Sequence, residues 1–172
     1  MNLKKIILLV VISLTFLLDY ISKKMIIYSL PRGGVLPIIP GYFDLVHTKN
    51  RGAAFGVLAN LPENIRLPFF LTLSLVALIT VVFYFLRQKD SRKTVWVCLG
   101  LILGGAFGNL WDRIRAGEVT DFLSFHWQDK RVFNILLDWP AFNVADMAIS
   151  VAVILLTILM MFPPMNQNNG SS

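Results

Sequence analysis

Gly104-Gly105-Ala106-Phe107-Gly108-Asn109-Leu110-Trp111-Asp112-Arg113 starts as a small-residue apolar helix and ends in an amide, a carboxylate and a guanidinium. Glu118-Val119-Thr120-Asp121-Phe122-Leu123 follows a few residues later and adds two more carboxylates. Gly100, Gly104 and Gly108 recur every fourth residue, a small-xxx-small stripe that lets a second helix come close, and Gly105 and Ala106 add room on its flank. Helix packing accounts for the glycines. It does not account for Asn109 or Arg113, which have Asp112 beside them. A charge in hydrocarbon costs on the order of 3 kcal/mol, so an apolar helix that turns polar at one end points to a shared polar cavity there.

The composition agrees with a membrane setting. Of 172 residues, 56% are hydrophobic and 15% charged, and mean hydropathy is +0.66. The apolar excess lies in runs, as membrane spans require, rather than being spread through a core. The net charge of +6 sits at the ends of those runs, where orientation in a membrane explains it better than nucleic-acid binding. The single Cys98 cannot form an internal disulfide. It reads as a small packing residue, and no metal-ligand cluster or phosphate-binding loop is present in the sequence.

Working outward, the chain reads as one mainly α integral membrane domain with four transmembrane helices and a small extracytoplasmic β-rich cradle. Lys4-Lys5 precedes a first span over about 6–28, which resembles a signal peptide but lacks a small-x-small cleavage site. Its Asp19 and Lys23 are spaced i,i+4 and share one face. Residues 31–62 are broken by Pro31, Gly33, Gly34, Pro37, Pro40 and Gly41. Here Phe43–Thr48 is expected as a strand pairing with Gly56–Leu58, beside the turn Asn50-Arg51-Gly52-Ala53-Ala54-Phe55. The second span covers about 67–86. Arg87, Lys89, Arg92 and Lys93 then crowd a short loop, which places that loop and both termini in the cytoplasm. The third span, about 95–112, runs outward. A second outer loop over about 114–140 is expected as an irregular hairpin on the membrane surface, with Trp127 and Trp139 at the interface. Pro140 suits the first turn of the fourth span, about 141–161, which carries Asn143 and Asp146 on one face. Residues 163–172 form a polar tail expected to be disordered.

This topology brings Asp19, Lys23, Asn109, Arg113, Asp121, Asn143 and Asp146 to one depth near the outer surface. Two carboxylates in such a cavity resist double ionisation, so one keeps a proton while the other can activate water. Asp121 and Asp146 are the natural pair for that acid–base chemistry, with Asn109, Arg113 and Asn143 orienting them. The same residues also allow a proton- or ion-coupled transporter, or a non-catalytic membrane subunit glued by polar contacts. The single level of the polar groups, with apolar inner helix halves, disfavours a transport path.

Five motifs in order resemble the bacterial lipoprotein signal peptidases (signal peptidase II, or prolipoprotein signal peptidase) over essentially the whole chain. Asp19-Tyr20-Ile21-Ser22-Lys23 is similar to the family's first-helix Asp-x-x-Ser/Thr-Lys motif, and Asn50-Arg51-Gly52-Ala53-Ala54-Phe55 to its outer-loop motif. The stretch from Gly104 to Arg113 matches its third-helix motif. Val119-Thr120-Asp121-Phe122 and Phe142-Asn143-Val144-Ala145-Asp146 carry what would be its two catalytic aspartates. The resemblance implies an aspartyl endopeptidase of the bacterial inner membrane, needing no cofactor or metal. It would remove the signal peptide from diacylglyceryl-modified prolipoproteins, on the amino side of the lipidated cysteine. Asp121 and Asp146 would be catalytic. Asp19, Lys23, Asn50, Gly52, Gly104, Gly108, Asn109, Arg113, Asn143 and Ala145 would support the site or bind substrate. Membrane lipid, inhibition by globomycin-type compounds and a monomeric state are further expectations of the resemblance. The loop from Phe122 to Pro140 is rather long for the family.

Overall fold

The computed structural model describes residues 3–52, 61–87, 92–127, 131–132, 135–136 and 139–161. Helix α1, Leu3–Ser29, contains neither glycine nor proline and ends just before Pro31, which has no N–H to continue the ladder. Two antiparallel strands follow, β1 (Val35–Ile39) and β2 (Phe43–Asn50). Pro40 and Gly41 turn the chain between them; Gly41 has φ 81° and the Tyr42 N–H donates to the Ile39 carbonyl at 3.0 Å, as a type II turn requires. Helices α2 (Glu63–Arg87) and α3 (Lys93–Ala116) come next. Gly117 caps α3 in the left-handed region at φ 69°, its N–H donating to the Arg113 carbonyl. That cap turns the chain directly into β3, Val119–Phe125. A small pair, β4 (Arg131–Val132) and β5 (Ile135–Leu136), precedes helix α4, Val144–Met161.

Among the described residues, α1, α3 and α4 are long and apolar enough to cross a membrane. Helix α3 lies between α1 and α4, and the buried Val95, Cys98 and Leu99 sit on it. Val95 and Leu99 pack against Leu8 of α1 and Leu156 and Leu159 of α4. Cys98 is fully buried, a packing residue. Large apolar side chains such as Leu14, Leu18, Val153 and Ile154 remain about half exposed on the outer faces, as lipid-facing positions would.

The glycine stripe is what brings the helices together. A Cβ on Gly100 would lie 2.6 Å from the Val11 Cβ, and one on Gly104 would lie 2.7 Å from the Thr15 Cβ. One on Gly108 would collide with the Asp19 carboxylate. Gly105 faces the other way, where a Cβ would meet the Ala145 carbonyl of α4 at 2.7 Å. One helix thus presents a smooth face to each of two neighbours.

Two expectations need correcting. Strand β2 pairs with β1 and β3; its expected partner Gly56–Leu58 lies outside the described residues. Val119–Phe125 is therefore a strand of the cradle sheet rather than part of a surface hairpin, and only the short β4–β5 pair keeps that form. Helix α4 begins at Val144, not near residue 141, and Pro140 precedes it. The backbone of Phe142 instead forms a bridge to Leu123, with N–H···O distances of 2.8 and 3.0 Å. The chain is extended there because it is pairing with β3. The tail over 163–172 lies outside the described residues.

Candidate active site

Asp121 stands on β3, directly opposite Thr48 of β2. Between Leu45 and Thr48 the register shifts, so β2 carries one extra residue opposite Phe122. Such a bulge re-aims the side chains beyond it. Asn50 pairs with Val119, which makes it the diagonal neighbour of Asp121 on the same sheet face. Its Nδ2 donates to Asp121 Oδ2 at 3.0 Å, while its Oδ1 accepts the Gly52 N–H at 3.0 Å. That local turn fixes the amide, and Gly52 is buried beneath it.

Asp146 is held by a helix terminus. Asn143 precedes α4, and its carbonyl accepts the first helical N–H, from Met147, at 3.2 Å. Its side-chain Oδ1 accepts the Asp146 N–H at 3.0 Å, and Asp146 Oδ2 accepts the Asn143 N–H at 3.2 Å. This is a reciprocal capping box with Asn at the N-cap and Asp at N3. With Oδ1 committed to the cap, Nδ2 of Asn143 points away from the helix. It donates to Asp121 Oδ1 at 2.7 Å and to Asn109 Oδ1 at 3.1 Å. One fully buried asparagine thus touches both carboxylates. The expected relation, with both residues on one face of an established helix, is replaced by a cap.

Asn109 of α3 completes the hold on Asp146. Its Oδ1 accepts from both Asn143 and Lys23 Nζ, the latter at 3.0 Å, so its Nδ2 must face Asp146 Oδ1, at 2.8 Å. Lys23 is 2% exposed. Its ammonium also forms ion pairs with Asp19 at 2.7 Å and Asp112 at 3.0 Å. Asp19, 1% exposed, accepts the Ala145 N–H at 2.9 Å and so ties α1 to the first turn of α4. Ala145 serves through its backbone, and its small side chain is fully buried. Gly108 and Gly104 act as the seats described above.

Arg113 is placed differently from the asparagines. Among the described residues it donates no hydrogen bond to either carboxylate. Its guanidinium lies 5.6 Å from the centre of the Phe70 ring of α2, within the field of Asp146, Asp121 and Asp112. Asp112 is the residue that sequence reasoning left without a role. It accepts from Lys23 and, at 3.3 Å, from the Thr120 N–H that leads into Asp121. Its position one turn beyond Asn109 was the available signal. His47 lies on β2 with Nδ1 2.8 Å from the Leu30 carbonyl, a strand residue as its sequence context suggests.

Asp121 is 2% exposed. Burial, followed by the charge of Asp146, pushes its carboxyl from 3.8 up to about 6, against the opposing pull of the Asn50 and Asn143 amides. Both aspartates line a cavity of about 760 Å³, within the range of about 300–1,000 Å³ usual for ligand sites. Asn50 and Arg113 complete its polar patch, and Phe142, Met147, Val151 and Ile154 extend an apolar wall down α4. The arrangement can hold an extended apolar chain against a pair of carboxyls, one of which, Asp121, has a raised pKa.

Residues 11–162 match the family model described as signal peptidase (SPase) II. The chain is 42% identical to the lipoprotein signal peptidase of Syntrophotalea carbinolica over 147 residues, 86% of each protein. It is 41% identical to that of Geobacter sulfurreducens, covering 84% of each, and 37% identical to that of Nitratidesulfovibrio vulgaris, covering 95% of this chain and 94% of the relative. Two solved structures described as bacterial membrane enzymes superpose on it. One has a TM-score of 0.76 at 27% identity, covering 96% of this chain and 93% of the other; the second has a TM-score of 0.75 at 26% identity, covering 91% and 93%.

Proposed function

The chain belongs to the signal peptidase II family, and on that premise we propose that it is an aspartyl endopeptidase acting on diacylglyceryl-modified prolipoproteins. The bond cut is the peptide bond on the amino side of the lipidated cysteine, and Asp121 and Asp146 do the chemistry. The observation that carries this reading is Asn143, which binds both carboxyls in the wall of one largely apolar cavity.

Asp121, with the raised pKa, is the proton donor, and Asp146 is the base. Asp146 takes a proton from water as the oxygen attacks the scissile carbonyl carbon, and Asp121 gives its proton to the carbonyl oxygen. The neutral gem-diol then collapses. Asp146 passes its proton to the cysteine nitrogen as the C–N bond breaks, and Asp121 recovers one from a diol hydroxyl. The pair ends as it began. Asn109 and Asn143 hold Asp146 in place during the transfers, and Arg113 steadies the net charge of the pair. The cavity wall along α4 suits the apolar signal segment and the acyl chains, and globomycin-type inhibitors would compete for it.

The protein acts as a four-span inner-membrane enzyme, with both termini cytoplasmic and the site near the outer face. At 25 residues and about 1.5 Å each, α2 exceeds the hydrocarbon thickness of about 30 Å. The basic residues between α2 and α3 support a cytoplasmic loop there. In detergent, the Asp121→Asn and Asp146→Asn proteins should each stay folded and lose cleavage of a lipidated prolipoprotein, and wild-type turnover should survive EDTA. Turnover retained in both variants would sink the assignment.

A further inference from the structure

Beside the Lys23–Asp112 link, whose two residues line it, lies a second, smaller cavity of about 240 Å³. It is built from Tyr20 and Lys24 of α1, Lys49 of β2, and Trp111 and Arg115 of α3. The charges around it do not balance. Glu118 in its wall is already bound by Arg32 and Arg51, each at 3.0 Å. Asp112 is committed to Lys23 and the Thr120 N–H. Among the described residues, no carboxylate pairs with Lys24, Lys49 or Arg115. Lys24 Nζ sits 5.6 Å from the centre of the Tyr20 ring and 5.9 Å from that of Tyr28. Arg115 lies 5.4 Å from the centre of the Trp111 ring. Among the described residues Lys49 donates to Thr120 Oγ1, at 2.8 Å, and it lies within the field of Glu118 and Asp112. Three cations thus converge on a pocket too small for a peptide.

We infer that this pocket binds the phosphate of an anionic phospholipid. Phosphate is the anion that fits a cluster of one guanidinium and two ammonium groups. A lipid is the favoured source because Trp111, Tyr20 and Tyr28 form an aromatic belt at the ends of two spanning helices. Exposed Ile21 and Met25 continue α1 as apolar surface for acyl chains. The inference requires the chain to lie in a bilayer, and it holds whether or not the two aspartates are catalytic.

The test uses the full chain in a neutral detergent, titrated with short-chain phosphatidylglycerol, short-chain phosphatidylcholine or inorganic phosphate, with the rise in melting temperature as readout. Phosphatidylglycerol should stabilise the protein more than phosphatidylcholine. Each of Lys24→Gln and Arg115→Gln should weaken its apparent affinity roughly fivefold, from about 1 kcal/mol per basic residue at an anionic surface. Together they should weaken it roughly 25-fold, and should the double variant fail to fold, the two single variants decide. Peptidase activity in neutral micelles should be unchanged in the single variants. Equal stabilisation by the two lipids, or unchanged affinity in both single variants, would overturn the site. Inorganic phosphate matching phosphatidylglycerol would overturn the lipid as its ligand.

Discussion

Replacing Lys23 by Met tests whether the buried charge network is a structural tie. The substitution keeps the apolar stem and removes one ammonium, which leaves Asp19, Asp112 and the Asn109 carbonyl without their common donor. Asp19 is the serious loss. It is 1% exposed and keeps only the Ala145 N–H, whereas the Asp112 side chain is 20% exposed and can be hydrated. Breaking a buried ion pair from one side costs about 3–5 kcal/mol. For a protein of this size that corresponds to a fall in melting temperature of roughly 6–20 °C. Asp19→Asn alone should be milder, about 1–2 kcal/mol, because Lys23 retains Asp112 at 3.0 Å. The informative outcome is the double variant. Adding Asp19→Asn to Lys23→Met removes the stranded carboxylate, so the second substitution should restore stability by at least about 1 kcal/mol. Thermal unfolding of the four proteins in one neutral detergent closes the cycle. A double variant less stable than Lys23→Met alone would refute the reasoning, since it would mean Asp19 is not electrostatically stranded.

Two further predictions concern the carboxyl pair and its cap. With an unfolded pKa of 3.8 and a folded one of about 6, Asp121 makes the folded state bind the extra proton between those values, so stability should fall as pH rises through that window. The loss between pH 4 and pH 7 is about 2 kcal/mol, and it should be absent from Asp121→Asn when unfolding is compared at those two pH values; equal pH dependence in the two proteins would contradict the buried environment of Asp121. Asn143→Ala should lose about 0.5–2 kcal/mol of stability through the missing cap and roughly 10- to 100-fold in turnover through the missing donor to Asp121. Asn143→Asp should restore the cap but not the turnover, and recovery of both would show that Asn143 serves the helix alone.

Much of the site was legible because it rests on helical spacing. Asp19 and Lys23 at i,i+4 had to share a face, and they form an ion pair at 2.7 Å. The glycines at 100, 104 and 108 had to leave a smooth strip, and α1 occupies it through Val11, Thr15 and Asp19. Asn143 was marked as a partner of the carboxylates, but its manner of binding was not. Capping depends on where a helix starts, and that start is set by Phe142 pairing with Leu123 across the sheet. Asp112 went unassigned because its role depends on Thr120 turning back beneath it after Gly117. Arg113 was expected to bond the pair, but among the described residues it donates no hydrogen bond to either carboxyl, and its guanidinium lies over the Phe70 ring of α2.

By itself the sequence determined the apolar helices, the small-residue strip and the family motifs that carry the two aspartates. Those are properties of composition and of a fixed helical period, which a residue carries wherever the chain goes. Only the tertiary structure decided that Asp121 lies on a strand of the cradle, that Asp146 is half of a helix cap, and that Asn143 joins them. Each of those facts needs two segments distant in sequence to meet. Their meeting is set by buried backbone and side-chain hydrogen bonds, which have to find partners wherever packing leaves no water.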